Sequence, residues 1–289
     1  MEYQVDAANA GRKLRDVLRQ VMGVSYSAMK SAKWDGRITV NGIPTPVDAI
    51  LREGDLVAIR WKDTPAYTVR PYHMPLNISY EDEHLFVINK PAPLASQSSA
   101  NHPDDSLENA LFAHLNCPVD YVYRPVNRLD KGTSGLMLVA KTPHAQHLLQ
   151  RMLHTPDFRR VYLAVVEGCP PDARGVVSAP IGKEETASIR RIITETGKPS
   201  LTHYEVLWRG ENRSLVRLEL ETGRTHQIRV HMAHLGCPVA GDFLYGHEIP
   251  ELPQRFALHS HEVFLRHPVT GADLHIVSPL PDQLTSLLD

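Results

Sequence analysis

The chain has 289 residues, of which 31 are basic and 33 acidic, so its formal net charge is −2. A composition of 42% hydrophobic and 22% charged residues is typical of packed globular proteins and excludes a globally disordered or collagen-like chain. No apolar run approaches the roughly 20 residues that a membrane-spanning helix needs. The near-neutral charge also argues against a protein that coats nucleic acid indiscriminately.

The N-terminus and the cysteines indicate a cytoplasmic chain. Residues 1–16 contain no apolar signal core. The three cysteines are scattered, and each is followed by proline, so they match neither a disulfide framework nor a CxxC metal site.

Two short basic helices are predicted near the N-terminus. In residues 12–22 four apolar residues have the spacing of one helix face: Leu14, Val17, Leu18 and Val21. A second helix is predicted over SAMKSAKW, with Ser25 or Ser27 as its cap and Gly36 as its end. The cations of this region either bind RNA or form a solvated face. They are Arg12, Arg15, Arg19, Lys30 and Lys33.

Two strands and a proline-rich break follow these helices. The segments RITVNG and LVAIRW are predicted strands, and Asn41-Gly42 is a turn signal. The prolines of the next segment predict a semi-rigid linker. We therefore predict a small α/β RNA-binding module at 1–62, a linker at 63–76 and a catalytic domain at 77–289.

The large domain contains more strands than helices. Seven segments are predicted strands: HLFVINK, GLMLVAK, RVYLAVVEG, LTHYEVLW, SLVRLEL, ALHSHEVFL and LHIVSPL. Three are predicted helices: 106–115, 143–153 and 225–236. Because strands follow one another across short turns, we predict an α+β fold with a large mixed, mostly antiparallel sheet and flanking helices.

The segment NRLDKGTSGLMLVAKT, residues 127–142, forms a glycine-punctuated loop that leads into an apolar strand. Gly132 and Gly135 allow close approach of the backbone. Asp130 either accepts hydrogen bonds in an ordinary turn or presents a rigid carboxylate at the end of a sheet. The residue types alone leave both interpretations open.

The segment ETGRTHQIRVHMAHLGCPVAGD predicts a helix with Thr225 as its cap. Arg224 and Arg229 flank its first turns, and Arg224 is a candidate RNA contact. Its histidines suggest a metal site, but His226 and His231 would lie about 140° apart on a helix. We therefore interpret them as packing, hydrogen-bonding or RNA-contacting groups and predict no metal site.

Tyr162 lies in FRRVYLAVVEG, where it alternates with apolar neighbours like an ordinary core residue. A tyrosine that faces a cleft would instead stack on a planar base.

Together these segments resemble the RluA-type family of RNA pseudouridine synthases, over nearly the whole chain. NRLDKGTSG is similar to the family's catalytic-aspartate motif, TGRTHQIRVHMAHLG to its basic-residue motif and RRVYLAVVEG to its tyrosine motif. VINKPAPL and ALHSHEVFLRHPVTG match further family segments. The front module resembles the small alpha-L RNA-binding module first recognised in a ribosomal protein.

The resemblance implies an enzyme that isomerises uridine to pseudouridine within RNA, without cofactor or metal. It implies that Asp130 is the catalytic carboxylate, acting by attack on the base, attack on the sugar or deprotonation. Arg229 is then its basic partner, and Tyr162 stacks against the uracil. Arg128 holds the RNA backbone from which the base has been flipped out. Asn127 stands where the family often has histidine and cannot carry charge.

The expected partner is RNA, with 23S ribosomal RNA favoured over transfer RNA because of the attached module. We expect a monomer that has no obligate protein partner and no membrane association. One alternative is a non-catalytic RNA-binding or ribosome-assembly factor that keeps the fold. Another is a metal hydrolase that uses the histidine-rich helix. The intact set of Asp130, Tyr162 and Arg229 argues against a pure binding protein.

The net charge of −2 conceals local excesses of positive charge. Residues 124–160 carry seven basic and two acidic side chains, and residues 1–62 carry ten basic and seven acidic ones. These two regions are where RNA is expected to bind.

Overall fold

The computed structural model describes residues 1–34, 36–60, 68–153, 155–184 and 189–288. They form a small N-terminal sheet with two helical segments, a large sheet with helices on both faces, and a separate hairpin. Within these ranges no helix has the length and apolar character to cross a membrane.

Four short strands form the N-terminal sheet: β1 (Glu2–Gln4), β2 (Ile38–Val40), β3 (Ile43–Pro44) and β4 (Leu56–Ile59). They pair antiparallel in the order β1-β4-β2-β3. Asn41 and Gly42 join β2 to β3 with positive φ angles of 53° and 80°, as a tight hairpin turn requires. The two predicted strands and their turn signal are confirmed.

The first predicted helix is shorter and wound differently than expected. The helix α1 (Leu14–Asp16) continues as a π-helical turn (Val17–Val21). The wider π-helical turn rotates Val21 away from the core, and it is 39% exposed, whereas the other three apolar residues of the predicted face are buried. Arg12 precedes the helix, so the helix predicted at 12–22 begins two residues later than expected, at Leu14.

The second predicted helix is confirmed as α2 (Tyr26–Trp34). The Ser25 hydroxyl accepts a hydrogen bond from the Ala28 N–H at 3.2 Å, which identifies Ser25 and not Ser27 as its cap. Gly36, with a φ of +63°, follows the helix as the predicted stop.

The large sheet has nine strands within the described residues. In chain order the strands after residue 76 are β5 (Asn77–Glu81), β6 (Leu85–Lys90), β7 (Ser134–Ala140), β8 (Phe158–Glu167), β9 (Arg174–Ser178), β10 (Ile181–Lys183), β11 (Arg191–Ile193), β12 (Leu201–Arg209), β13 (Arg213–Leu220), β14 (Leu258–Arg266) and β15 (Asp273–Val277). The strands β10 and β11 form the separate hairpin. The others form one sheet, β5-β6-β7-β14-β8-β13-β12-β9, with β15 paired to β14.

The pairing pattern confirms the predicted fold class. Every strand pair of the large sheet is antiparallel except β7 with β14, which is parallel. All seven strands predicted for the large domain are present. The sequence did not predict the five-residue strands β5 and β9 or the shorter strands β1, β3, β10 and β11. The two or three residues of the shorter strands carry too little alternation to be recognised.

Helices cover both faces of the central strands. After residue 100 they are α3 (Leu107–His114), α4 (Pro143–Met152), α5 (Gln227–His234) and α6 (Asp282–Thr285). All seven residues of β7 are buried, and successive side chains point to opposite faces. Met137 and Val139 belong to the core that contains residues of α3, α5 and α6, whereas Leu136 and Leu138 belong to the core that contains residues of α4. This double burial makes β7 a rigid support for the loop that precedes it.

The linker predicted at 63–76 lies partly outside the described residues. Residues 68–76 contain no helix or strand, and they contact α3 through a hydrogen bond from the Tyr72 N–H to the Asn109 carbonyl. The division of the chain into module, linker and catalytic domain stays a prediction.

Gly135 allows β7 to approach β14 closely. Its φ is +104°, and a Cβ atom at this position would lie 2.2 Å from the carbonyl oxygen of Ser260, the residue with which it pairs. No L side chain fits between the two strands at this point.

Replacing Gly135 by alanine should therefore separate β7 from β14. We expect G135A to lower the free energy of unfolding by more than about 4 kcal/mol, because its methyl group overlaps backbone atoms. The matched control is G168A, which also has positive φ (+69°) but has no atom within 4 Å of the added carbon. For G168A we expect a decrease of about 1–2 kcal/mol. Urea unfolding of both variants tests this, and equal decreases would contradict it.

Candidate active site

Asp130 lies on the loop before β7, and the backbone of this loop is held on two sides. The Asp130 carbonyl accepts a hydrogen bond from the Thr133 N–H at 3.0 Å. The Ser96 hydroxyl donates to the Leu129 carbonyl at 2.5 Å and accepts from the Leu129 N–H at 3.2 Å. The carboxylate of Asp130 is thus presented by a fixed backbone, and its side chain is 30% exposed.

Lys90, at the end of β6, ties the neighbouring loop to the Asp130 loop. It is fully buried, and its ammonium donates to the carbonyl oxygens of Leu94 at 2.8 Å, Pro91 at 3.0 Å and Lys131 at 3.4 Å. Burial lowers the pKa of Lys90 to about 7, and the negative charge of Asp130 opposes this shift. The lysine therefore acts as a buried crosslink between two loops.

Arg229, on α5, is buried between two carboxylates. Its Nε and Nη2 donate to Asp242 at 2.6 and 2.8 Å, and its Nη1 donates to Asp130 Oδ2 at 3.0 Å. Burial disfavours the charged guanidinium, but the hydrogen bonds and charge of Asp242, together with Asp130, outweigh burial and raise the pKa of Arg229. The guanidinium is therefore a permanent positive charge against Asp130.

Aromatic rings enclose the same guanidinium. Its central carbon lies 4.2 Å from the ring centre of Phe256 and 5.0 Å from that of Tyr245. Both distances allow cation–π attraction in a desolvated site. The rings and Asp242 fix Arg229 in position before any substrate binds.

The carboxylates of Asp242 and Asp130 differ in how many of their hydrogen-bonding positions the protein occupies. Asp242 is fully buried, and its oxygens also accept hydrogen bonds from the N–H groups of Leu244 at 3.0 Å and Tyr245 at 3.3 Å. Asp130 has one protein donor within hydrogen-bond distance among the described residues, Arg229, and faces a cavity. Of the two, only Asp130 can contact a ligand.

The cavity that Asp130 faces has a volume of about 580 Å³, which suits a nucleotide-sized ligand. Tyr162 projects into it from β8, and Arg128 is exposed at its rim. The structure thus brings together the predicted residues Asp130, Arg229, Tyr162 and Arg128. The charged residues that line the cavity are Arg128, Asp130, Lys131, Arg160 and Arg224.

His226 also lines this cavity, and it occupies the helix-cap position that was predicted for Thr225. The predicted cap Thr225 is wrong, because α5 begins after His226, whose backbone is left-handed with a φ of 58° and whose side chain makes no capping bond. Its Nδ1 lies 2.9 Å from the Tyr245 hydroxyl, and its Nε2 lies 3.8 Å from Asp130 Oδ2. Burial lowers the pKa of His226, against the opposing charge of Asp130.

His226 and His231 do not point toward a common centre where a metal ion would bind. Both nitrogens of His231 are within hydrogen-bond distance of protein oxygens, the Thr202 hydroxyl at 2.9 Å and the Ala179 carbonyl at 3.0 Å. His226 faces Tyr245 and Asp130 instead. In the part of the chain that the structure describes, no three His, Cys, Asp or Glu side chains lie close enough to hold a metal ion.

Asn127 is a buried structural group at the edge of the cavity. Its side-chain oxygen accepts a hydrogen bond from the Leu138 N–H of β7 at 2.9 Å, whereas its Nδ2 has no hydrogen-bond partner among the described residues. The amide therefore holds the loop against β7, a role that needs no charge.

The candidate RNA-binding cations of the front module are not equivalent. Arg15 pairs with Asp48 at 3.2 Å, and Arg12 bonds to Asn9 at 2.6 Å. Arg19 lies over the Tyr26 ring, at 6.0 Å. Lys30 and Lys33 are exposed. Arg224 belongs to the cavity and not to this surface.

Sequence reasoning missed Lys90, Asp242 and Tyr245. Each is buried or half-buried and acts on another residue of the site, and nothing in the local spacing announces such a role. Two signals were present in the sequence: Lys90 lies in the family-like segment VINKPAPL, and Asp242 and Tyr245 interrupt an apolar stretch in AGDFLYG soon after Arg229.

Comparison with known proteins defines the class. The profile of the family described as RNA pseudouridylate synthase matches residues 84–234. That range contains the Asp130 loop, the Tyr162 strand and the Arg229 helix. The chain belongs to the RNA pseudouridylate synthase family, and the RluA-type enzyme predicted from the motifs is confirmed.

Similar sequences cover almost the whole chain. The RNA pseudouridine synthase YjbO of Bacillus subtilis is 37% identical, over 92% of this chain and 95% of its own length. Ribosomal large subunit pseudouridine synthase D of Pseudomonas aeruginosa is also 37% identical, over 96% and 91%.

Similar solved structures cover about 70% of the chain. Human RNA pseudouridylate synthase domain containing 1 is 29% identical, with a TM-score of 0.57 over 71% of this chain and 83% of its own. Human RNA pseudouridylate synthase domain containing 4 is 25% identical, with a TM-score of 0.58 over 72% and 90%.

The buried Lys90 should make stability depend on pH. Because its pKa is lower in the folded than in the unfolded chain, unfolding takes up a proton between pH 7 and about 10, and stability rises with pH there. We expect the free energy of unfolding of the wild type, relative to K90M, to rise by up to about 1.4 kcal/mol per pH unit in this window. Urea unfolding at pH 6.5, 8 and 9.5 measures it, and a constant difference would contradict the assignment.

Proposed function

We propose that this enzyme isomerises specific uridines of large-subunit ribosomal RNA, with Asp130 as its catalytic carboxylate. The observation that carries this proposal is the hydrogen bond of 3.0 Å from Arg229 Nη1 to Asp130 Oδ2 at the wall of a nucleotide-sized cavity. A carboxylate paired with a fixed guanidinium on one side and open to a cavity on the other suits a reacting group.

The reaction balances without any further reagent. The N1–C1′ bond of the uridine breaks, the base turns, and a C5–C1′ bond forms. C5 then loses its proton, and N1 gains one. Every route to this product, through base, sugar or elimination, uses an ionised carboxylate near the glycosidic bond, and Asp130 is the group that the cavity offers for it.

The other cavity residues take supporting roles in this proposal. Tyr162 stacks on the flipped-out uracil from the strand β8. Arg128, exposed beside Asp130, holds the phosphates of the strand from which the base has left. Arg229 does not touch the base in this scheme but keeps the Asp130 carboxylate oriented.

The choice of ribosomal RNA rests on relatives and on charge. Ribosomal large subunit pseudouridine synthase D of Pseudomonas aeruginosa aligns with nearly the whole chain, including the front module. That module has an excess of three basic residues. Transfer RNA is the second candidate substrate. We further propose that the enzyme acts as a monomer.

Asp130→Asn tests the catalytic assignment. The amide keeps the shape of the side chain but removes its charge, so we expect pseudouridine formation to fall at least about 1,000-fold while RNA affinity changes less than about threefold. The control D273N removes an exposed carboxylate on β15 and should retain full activity. Release of the C5 hydrogen from labelled RNA measures the reaction. Undiminished product in D130N would overturn the assignment, and a pure binding protein would yield no product in any variant.

Mapping of pseudouridines with and without the protein tests the substrate. We expect removal of the protein to eliminate pseudouridine from one or more positions of large-subunit ribosomal RNA, and purified protein to restore it. A change confined to transfer RNA would favour the second candidate substrate.

Neutral variants of the front module test its role in RNA binding. We expect R19Q/K30Q/K33Q to weaken RNA binding and to reduce the slope of log affinity against log salt by about 0.7–0.9 for each phosphate that the module no longer neutralises. The control R174Q/K183Q/R209Q removes three exposed cations elsewhere. If both triple variants have equal effects on RNA binding, the cations of the module face solvent and do not bind RNA specifically.

A further inference from the structure

Arg160 is a buried cation that lacks a carboxylate partner. It lies on β8, is 7% exposed, and its Nε atom makes no hydrogen bond within the described ranges. No carboxylate in those ranges lies within salt-bridge distance of it. By contrast its neighbour Arg159 points away from the core and binds Glu219 at 2.6 Å.

The other buried arginines have protein acceptors. Arg229 binds two carboxylates, Arg255 binds a serine and a glutamine side chain, and Arg124 binds carbonyl oxygens. Arg160 instead lies against the Phe158 ring, whose centre is 5.6 Å from the guanidinium carbon. A buried guanidinium without an acceptor is unfavourable, and an anion supplied from outside the protein would satisfy it.

The position of Arg160 indicates where that anion lies. Arg160 lines the same cavity as Asp130, and it is two residues before Tyr162, on the same face of β8. Two strand residues span about 6–7 Å. This spacing is comparable with the distance from a base to its own phosphate, so a uracil on Tyr162 brings a phosphate near Arg160.

The loop between β13 and α5 leaves space for this contact. A Cβ atom at Gly223 would lie 3.4 Å from Nη2 and 3.6 Å from Nη1 of Arg160. Because residue 223 has no side chain, the end of the guanidinium stays open to the cavity.

We propose that Arg160 binds a backbone phosphate directly next to the uridine that is isomerised. The proposal rests on the proposed function, since it takes the ligand to be RNA. Arg160 then fixes the register of the target nucleotide, whereas Arg128 at the rim holds the strand around it. A guanidinium suits this task because it presents paired donors to phosphate oxygens.

The experiment compares loss of the arginine charge in the protein with loss of one phosphate charge in the RNA. The probe is a synthetic stem-loop around the uridine found by mapping, with a methylphosphonate placed on its 5′ or its 3′ side. We expect R160Q to weaken binding of the unmodified probe about 10- to 100-fold, and R160K to weaken it less. We expect one of the two methylphosphonates to weaken wild-type binding by a similar factor and to have no further effect on R160Q.

The controls separate a phosphate contact from a packing role. R159Q, the neighbour on the opposite face, should bind all probes like the wild type. The proposal is wrong if both methylphosphonates reduce RNA binding by R160Q as much as they reduce binding by the wild type. It is also wrong if neither methylphosphonate reduces binding by the wild type. The second comparison uses wild-type protein alone, so it holds even if R160Q folds poorly.

A failure of the proposed function would be recognised separately. If the wild type forms no pseudouridine, calorimetry compares uridine 3′,5′-bisphosphate with uridine as ligands. Preference for the bisphosphate in the wild type but not in R160Q supports the phosphate site whatever the reaction, and equal binding of both ligands by the wild type overturns it.

Discussion

The site depends on one guanidinium held between two carboxylates. Asp242 and the surrounding rings fix Arg229 so firmly that it has a single orientation, and this orientation directs Nη1 at Asp130. The pair with Asp242 compensates for burial of the charge, and the single contact with Asp130 leaves that carboxylate open to the cavity. Two chemically identical side chains thus differ in what they can contact, because Asp242 is enclosed and Asp130 faces a cavity.

The overall charge of the chain differs from the local charge at the cavity. The overall charge is −2, yet the cavity is lined by four cations and one carboxylate. Surface cations such as Arg15 and Arg174 are matched by nearby acidic side chains, whereas Arg160 and Arg128 in the cavity have no such partner among the described residues. The chain therefore presents uncompensated positive charge at the cavity that Asp130 faces.

Sequence motifs and apolar alternation predicted the large strands and the main site residues, but they did not predict helix ends or buried partner residues. Three segments distant in the sequence predicted Asp130, Tyr162 and Arg229, and the structure places all three at one cavity or its wall. Asp242 escaped prediction because its partner, Arg229, is set by the packing of α5 and not by spacing. Thr225 was the expected cap by residue type, but the left-handed backbone of His226 precedes the helix. The π-helical turn after α1 likewise leaves no mark in apolar spacing.

The parallel pairing of β7 with β14 has a consequence for synthesis of the chain. Asp130 precedes β7 and Tyr162 lies on β8, and β14, from Leu258 to Arg266, is inserted between these two strands. A nascent chain that ends before residue 258 already carries Arg128, Asp130, Tyr162 and Arg229 but lacks the strand that sets their spacing. The strands β7 and β8 therefore reach their final spacing only when residues 258–266 are available to pair between them.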